Sequence, residues 1–322
     1  MTFSAVAVTR VRNEGDIVEA FVRHTAAFAT HHILLDNGSS DATLPILHAL
    51  RSEGFPLTIL STDTAHFAEQ QQNTALFMFA KARFAPDWVL CLDADEFIIG
   101  DVNNLRTCSG AAIISLPLID YYPTPADDPA DLLVTRRIRN RQVGLSAWKV
   151  FVRGSRATDG YSIEAGNHGV LMGGWKMPAR QARGLSLGHF ARRSPWQTAA
   201  KSVIGRLRMV ATRRELAEGN LGHHYTGVLE HIRDDPMTFL AEIEAASDFD
   251  QPLVDRPVDY RGGELRYTKP RNEAAAAVSS VVAWAQMLAE QHQHLMDGSQ
   301  DAQKIANRMA LQWGGLEREN AA

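Results

Sequence analysis

Short apolar runs alternate with longer amphipathic stretches along the first 117 residues of the chain. Five runs rich in apolar and β-branched residues predict strands at 3–9, 31–36, 56–61, 88–93 and 111–117. The stretches between them predict helices at about 16–29, 41–53 and 70–84. This alternation predicts an α/β fold with a mostly parallel central sheet flanked by helices.

The regular alternation fades after residue 117. The pattern there predicts a Pro/Asp-rich loop at 120–131, strands at 143–154 and 185–190, a glycine-dense loop from Gly160 to Gly174, and a basic helix from Pro195 to about Ala217. We therefore expect a main domain over residues 1–217, with halves at 1–117 and 118–217. A helical C-terminal extension over 218–322 is expected to pack on it.

Composition places the chain among soluble globular proteins. Of its 322 residues, 45% are hydrophobic and 22% are charged, which is ordinary for that class. The two cysteines, Cys91 and Cys108, form no disulfide or metal-binding pattern and favour a reducing compartment. The N-terminus lacks the features of a signal peptide, and the apolar run at 274–289 is shorter than the roughly 20 residues of a membrane span. We expect a cytoplasmic protein.

Charge is unevenly distributed behind a net value of −4. Residues 136–214 hold 17 bases and only two acids, whereas the segments on either side are acidic. A basic segment between acidic ones indicates an anionic partner, and a solvated basic face is the simpler alternative. Nucleic acid is not favoured, because the whole chain is mildly acidic and carries no aromatic-basic binding module.

Carboxylates follow the fourth predicted strand in the stretch "WVLCLDADEFII". Asp93 and Asp95 are two residues apart, so extended backbone would point them to the same side and Glu96 to the other. Ligands of open α/β sheets bind outside the carboxyl ends of the strands. Two carboxylates there suit Mg²⁺ or Mn²⁺, and the alternative is a turn in which one aspartate caps the next helix.

The first two strands also end in polar residues. Arg10, Arg12 and Asn13 follow the first strand in "TRVRNE", and Asp36 and Asp41 follow the second in "DNGSSD". Taken alone, the first group reads as a solvated loop and the second as an Asn-Gly turn with a helix cap.

Four motifs in order resemble those of a known enzyme family. "RVRNE", "LLDNGSSDAT", "QQQNTAL" and "WVLCLDADEFI" are similar to the motifs of family-2-like glycosyltransferases with the GT-A fold, closest to the bacterial branch with D-N-G-S-x-D and D-A-D-E-F. The segment 185–206 also looks like a later segment of that group. The resemblance implies transfer of a sugar from a nucleotide diphosphate sugar, UDP- or GDP-linked, to an acceptor hydroxyl. It further implies inversion and a place in bacterial surface-glycan synthesis.

The resemblance implies roles for individual residues. The first half, 1–117, would bind the nucleotide, and 118–217 would supply the acceptor and part of the metal site. Mn²⁺ or Mg²⁺ would be held by Asp93, Asp95 and His189. The nucleotide would contact Arg10, Asn13, Glu14, Asp36, Asp41 and Asp93.

An inverting enzyme also needs a base for the acceptor proton, and three carboxylates are candidates: Glu164, Asp159 and Asp120. His168 in "GNHGV" is a candidate base or acceptor-binding residue. The family's usual Glu-Asp pair at a helix start is absent from this sequence, which leaves the choice among these residues open.

The bases that follow His189 have two expected uses. Arg192, Arg193 and Lys201 would contact the diphosphate. Other bases, at 136–141 and 206–214, would face a phosphorylated acceptor, or an anionic membrane surface through 136–214 as a whole. The acceptor itself is expected to be a glycan or a lipid-linked molecule. Two alternatives remain open: a nucleotidyltransferase, although "TRVRNEGD" has one glycine where a Gly-rich loop is expected, and a catalytically silent sugar-nucleotide-binding or glycan-binding protein.

Overall fold

The computed structural model describes residues 3–108, 110–212, 223–244 and 252–305. The elements of the first half are β1 (Ala5–Val11), α1 (Val18–Thr25), β2 (His31–Asn37), α2 (Thr43–Glu53), β3 (Leu57–Thr62), α3 (Glu69–Phe84), β4 (Trp88–Cys91), β5 (Glu96–Gly100), α4 (Asn103–Thr107) and β6 (Ile113–Tyr122). Each of the five predicted strands and three predicted helices of this half is present, with ends shifted by a few residues. Gly54 ends α2 in the left-handed conformation that glycine adopts without strain.

The second half is built from shorter pieces. Its elements are α5 (Val134–Arg137), β7 (Asn140–Gln142), β8 (Ala147–Arg153), β9 (Tyr161–Ile163), β10 (Val170–Met172), β11 (Trp175–Lys176), β12 (Arg180–Gln181), β13 (Leu185–His189), α6 (Pro195–Thr212), α7 (His223–Asp234), α8 (Pro236–Glu244), β14 (Leu253–Asp255) and α9 (Glu273–Gly298). Short 3₁₀ turns lie at Gly154–Arg156 and Ala165–Asn167.

One large sheet forms the centre of the fold, with the strand order β14-β7-β6-β8-β4-β1-β2-β3. β12 and β13 pair in parallel with β6, and β5 pairs antiparallel with β13. β5, β7 and β8 run against the other strands of this sheet. The predicted α/β class with a mostly parallel central sheet flanked by helices is therefore confirmed.

Helices cover both faces of the sheet. Phe21 of α1 and Leu47 of α2 pack on one face together with Phe97 and Phe190. Phe77 of α3 packs on the other face. Alternate residues of β4 enter the two layers, Leu90 the first and Val89 the second, which explains why this strand is apolar throughout.

Two predicted boundaries differ from the structure. The predicted strand at 88–93 ends at Cys91, and β5 follows after a turn closed by the hydrogen bond from Glu96 N to Asp93 O, 3.1 Å. The loop predicted from Gly160 to Gly174 contains β9 and β10, which form a separate three-stranded sheet with β11. β5, β9 and β10 are only three to five residues long, and β5 pairs with the distant β13, so local pattern does not reveal them.

Two helices pack together across the carboxyl edge of the parallel strands, α6 and α9. On α9, Ser280 Oγ accepts from Asn13 Nδ2 at 2.6 Å, and Trp284 Nε1 donates to Ala65 O at 3.2 Å. The predicted basic helix is observed to Thr212, and its predicted end at Ala217 lies outside the described residues. The predicted domain boundary at 217 lies there too, so that division stays a prediction.

Candidate active site

Asp93 lies just beyond β4 and is held by side chains from three other segments. Lys149 Nζ donates to Oδ2 at 2.7 Å, Asn167 Nδ2 donates to Oδ1 at 3.2 Å, and an Arg10 nitrogen lies 3.8 Å from Oδ1. Burial opposes ionisation, but Lys149 and Arg10 outweigh it and lower the pKa of Asp93 to about 2. Asp93 is therefore ionised at neutral pH and is held in place by the neighbouring lysine and arginine.

Lys149 is a buried cation that the sequence patterns did not single out. Its Nζ also lies 2.5 Å from Oε1 of Glu96, whose Oε2 accepts from Asp93 N at 3.0 Å. β8 runs antiparallel to β4, so the beginning of β8 lies at the carboxyl end of β4. One feature of the sequence could have identified it: Lys149 is the single lysine within the apolar stretch "AWKVFV", and a buried lysine requires a partner of opposite charge.

Asp95 is a second buried carboxylate with a different set of cations. Lys201 Nζ of α6 donates to Oδ2 at 2.6 Å, and Nη1 of Arg193 lies 3.7 Å from the same oxygen. His189 Nε2 lies 3.7 Å from Oδ1. Burial opposes ionisation, but Lys201, His189 and Arg193 hold the pKa of Asp95 well below its usual range.

His189 is oriented by Asp120 on the neighbouring strand. The two residues pair in the register of β13 and β6, and His189 Nδ1 lies 2.7 Å from Oδ1 of Asp120. With Nδ1 donating to this carboxylate, Nε2 is directed at Asp95. A carboxylate behind the imidazole is the usual support of a metal-ligating histidine.

Asp95 and His189 fit a divalent cation. Mg²⁺ takes one or two protein carboxylates and completes its shell with water and phosphate oxygens, and imidazole suits Mn²⁺-type sites as well. Across the described part of the chain, no three His, Cys, Asp or Glu side chains come together as a metal site. Asp95 and His189 would leave positions open for a diphosphate, and the predicted participation of Asp93 in the metal site stays a prediction.

Arg193 connects this group to the residues that follow β1. It is buried, and its Nε donates to Asp16 Oδ2 at 2.6 Å while Nη2 donates to Glu14 Oε2. Burial raises the pKa of Glu14 to about 7, against the opposing effect of Arg193. Both carboxylates precede α1, so Arg193 fixes the end of β13 against the end of β1.

Two buried groups near the ends of β1 and β2 have unused hydrogen-bonding atoms. Asp36 Oδ2 accepts from Ser39 N at 3.1 Å, but Oδ1 has no hydrogen-bond partner among the described residues. All three guanidinium nitrogens of Arg12 are buried, and the described part of the chain gives them no hydrogen-bond partner. Burial and the nearby Arg208 lower the pKa of Arg12 to about 10, and Asp36 opposes them. Buried polar atoms are rarely left unpaired, so these atoms indicate a place for a polar ligand.

Asn13 and Asp41 lie at the same edge and are used in structural hydrogen bonds. Asn13 Oδ1 accepts from Ser40 N at 2.7 Å, and Asp41 Oδ1 accepts from Thr43 N at 2.9 Å at the start of α2. Gly38 has φ +65°, and a Cβ there would lie 2.5 Å from Met287 Cε of α9. Helix α9 thus packs closely over this end of the sheet.

Among the predicted bases, the structure brings Asp120, Glu164 and His168 to this edge but not Asp159. Asp159 pairs with Lys81 on α3, 2.6 Å away, and its side chain is 89% exposed. Glu69, in the first turn of α3, contacts Arg10, and Lys81 lies twelve residues further along the helix. At 1.5 Å per residue, that is about 18 Å from the edge.

The other cations of 136–214 do not lie on a single face. Arg153 donates to the carbonyl of Ala111 and Arg156 to that of Gly110, both next to the beginning of β6, at the opposite edge of the sheet. Arg192 lies over the ring of Tyr122, with 5.8 Å between its Cζ and the ring centroid. The predicted contact with a membrane or phosphorylated acceptor stays a prediction.

Comparison with known proteins gave structural likenesses only. No family model and no curated protein matches the sequence. Residues 1–349 of S. aureus TarS in complex with UDP align with 12% identity, 72% of this chain, 73% of that chain and a TM-score of 0.33. The mannosyltransferase PcManGT from Pyrobaculum calidifontis, in complex with GDP-Man and Mn²⁺, aligns with 11% identity over 96% of this chain and 81% of that chain, with a TM-score of 0.35. Glucosyl-3-phosphoglycerate synthase from Mycobacterium tuberculosis, in complex with Mn²⁺, UDP-glucose and phosphoglyceric acid, aligns with 16% identity over 48% of this chain and 57% of that chain, with a TM-score of 0.26.

Structural similarities with TM-scores this low do not indicate an activity, so the function has to follow from the residues at the carboxyl edge of the sheet.

The described residues include no helix with the length and apolar character needed to cross a bilayer.

Proposed function

We propose that this chain is a metal-dependent glycosyltransferase that moves a sugar from a UDP- or GDP-linked donor to an acceptor hydroxyl, with inversion at the sugar carbon. The observation that carries the proposal is that two complementary groups share one sheet edge: the unpartnered atoms of Arg12 and Asp36, and the cation-rich surroundings of Asp95. Helix α6 links them. Lys201 contacts Asp95, and Arg208, about two turns later, acts electrostatically on Arg12.

Arg12 and Asp36 would bind the nucleoside. The guanidinium nitrogens offer donors and Asp36 Oδ1 offers an acceptor, and both are already buried. A nucleobase and its ribose carry hydrogen-bonding groups of both kinds. Hydrogen bonds made in such a low-dielectric site are stronger than in water, so a nucleoside would relieve the unfavourable burial of both residues.

The surroundings of Asp95 would bind the diphosphate. Lys201 is 38% exposed at the side chain and reaches the site from α6, so it can exchange its contact with Asp95 for one with a phosphate oxygen. Asp95 and His189 would hold Mn²⁺ or Mg²⁺, with Asp120 keeping His189 in position. A bound divalent cation supplies Lewis-acid neutralisation of the departing diphosphate.

We extend the proposal to a glycan or lipid-linked acceptor and to the synthesis of bacterial surface glycans in the cytoplasm, at the inner face of the membrane. The support is the basic excess of residues 136–214, whose exposed members include Arg180 and Arg183. Exposed bases favour acceptors that carry phosphate or lie in an anionic surface.

Calorimetric titration with UDP and GDP, with and without Mn²⁺, tests the proposal. We expect binding that depends on the metal and that weakens at least about tenfold in Asp95→Asn, because loss of even an outer partner of a metal ligand costs that much affinity. Asp297→Asn, an exposed change on α9, is the matched control and should bind as the unaltered chain does.

Two results would redirect the assignment. The absence of metal-dependent binding to either nucleotide would refute the transferase. Metal-dependent binding without release of sugar from UDP-glucose or GDP-mannose, across a broad acceptor set, would instead indicate a silent nucleotide-sugar-binding protein.

A further inference from the structure

The loop between β9 and β10 lies against the carboxyl edge beside Asp93. Asn73 Nδ2 donates to the Glu164 carbonyl at 3.1 Å, and Asn167 Nδ2 donates to Asp93 Oδ1 at 3.2 Å. Gly166 and Asn167 both have positive φ, +66° and +57°, so the loop turns sharply between these two anchors. The residue that follows the turn is His168.

The imidazole of His168 has one possible tautomer when neutral. Nδ1 lies 2.9 Å from the Trp148 carbonyl, which can only accept, so Nδ1 carries the proton and Nε2 keeps a lone pair. Nε2 makes no hydrogen bond to any residue that the structure describes. Gly166 leaves room for the ring, because a Cβ at that position would lie 2.8 Å from Nε2.

The charges around His168 favour the neutral ring. Partial burial and the Lys149 ammonium on β8 lower its pKa, and Lys176 on β11 adds to the effect. The Trp148 carbonyl and Asp93, beyond β4, oppose the shift but do not reverse it. His168 is an exposed residue, so an acceptor molecule can reach it.

The two candidate carboxylate bases at this edge, Glu164 and Asp120, are already engaged. Glu164 Oε2 accepts from Lys176 Nζ at 2.7 Å. Asp120 Oδ1 is bonded to His189, and Oδ2 accepts from Tyr122 Oη at 3.4 Å. Among the three candidate bases at this edge, His168 therefore combines a free lone pair with an exposed position and a hydrogen bond that orients its ring.

We propose that His168 is the catalytic base of the transfer reaction, which rests on the proposed function. The acceptor hydroxyl oxygen attacks the anomeric carbon of the donor sugar while the bond from that carbon to the diphosphate breaks. The electron pair of the broken bond leaves with the nucleoside diphosphate, and the hydroxyl proton moves to Nε2 of His168. The imidazolium then returns the proton to water.

His168→Asn is the decisive variant, because the asparagine amide can still donate to the Trp148 carbonyl but cannot take a proton. With UDP-glucose and GDP-mannose as donors and p-nitrophenyl glucoside and mannoside as acceptors, we expect kcat to fall about 10²- to 10⁴-fold with KM for the donor unchanged. The acidic limb of the kcat/KM profile should disappear. His292→Asn, an exposed change on α9, should match the unaltered chain.

The outcomes separate this proposal from the proposed function. If the unaltered chain transfers sugar and His168→Asn retains at least a third of its kcat, the base proposal is wrong and the transferase stands. If the unaltered chain neither binds the nucleotides nor transfers sugar, both are wrong. Independently of substrate, NMR should show a pKa of His168 below the ordinary histidine value, and a pKa raised above that value would overturn the proposal.

Discussion

Lys149→Met should be one of the more damaging single changes in this protein, because it removes the cation of the fully buried Glu96 and the nearest cation of the partly buried Asp93. The Lys149 side chain is 4% exposed, and it lies 2.7 Å from Asp93 and 2.5 Å from the fully buried Glu96. Removing one partner of a buried ion pair costs about 3–5 kcal/mol. Glu96 already has a pKa raised to about 7 by burial, so it can take up a proton when the lysine is lost. We therefore expect a loss near 3 kcal/mol at neutral pH.

Lys81→Met is the matched control for this prediction. Lys81 forms an ion pair with Asp159 of similar length, 2.6 Å, but the Asp159 side chain is 89% exposed. Exposed pairs contribute about 0–1 kcal/mol, so this variant should lose no more than that. The two variants differ in the burial of the pair rather than in its geometry.

Urea unfolding at pH 7 measures both losses. Lys149→Met combined with Glu96→Gln should recover about 1–2 kcal/mol, because one uncompensated carboxyl is then replaced by a neutral amide. A loss below about 1 kcal/mol for Lys149→Met, or no recovery in the double variant, would refute the view that this lysine stabilises the end of β4 by neutralising both carboxylates.

Three further predictions follow from buried polar groups. His24 donates to the Ile98 carbonyl and accepts from a backbone N–H, and burial lowers its pKa to about 4 from 6.5. As the pH falls, the unfolded chain therefore binds a proton at His24 before the folded chain does. About 3 kcal/mol of stability should be lost as the pH falls from 6.5 through 4, and His24→Gln should not show this loss. Glu19→Ala leaves the three backbone N–H groups of 266–268 without their acceptor, which should cost at least about 3 kcal/mol in urea unfolding. Arg12→Met removes a buried guanidinium that makes no hydrogen bond to the described residues, so it should raise the free energy of unfolding by about 1 kcal/mol. The same change should weaken UDP binding at least about tenfold in calorimetry. Unchanged binding would count against the nucleoside site.

The pattern of strands was sufficient to predict which residues share an edge. Parallel strands that end at Val11, Asn37 and Thr62 bring the residues after them together, and this follows from alternation with helices alone. The edge therefore has polar groups where they were expected, including Asp36. What the pattern does not contain is which buried atoms lack a hydrogen bond: the nitrogens of Arg12 are buried close to Arg208 of α6, about 200 residues further along the chain.

Contacts made by distant segments were beyond sequence reasoning. Lys149 is 56 residues from Asp93, and it meets Asp93 only because β8 enters the sheet antiparallel between β4 and β6. Ser280 is 267 residues from Asn13. A long-range pairing of this kind depends on the register of the whole sheet, and no single segment specifies it.

The two aspartates after β4 show how a short turn changes an argument from spacing. Strand alternation would direct Asp93 and Asp95 to the same side, but β4 ends at Cys91 and the hydrogen bond from Glu96 N to Asp93 O closes a turn over both residues. Asp93 is directed to Lys149, and Asp95 to Lys201 and His189. A buried lysine neutralises Asp93, whereas Asp95 faces the imidazole of His189, the buried Arg193 and the partly exposed Lys201. A partly exposed lysine can turn towards a phosphate oxygen, so the surrounding side chains, and not the spacing of the carboxylates, distinguish the two aspartates.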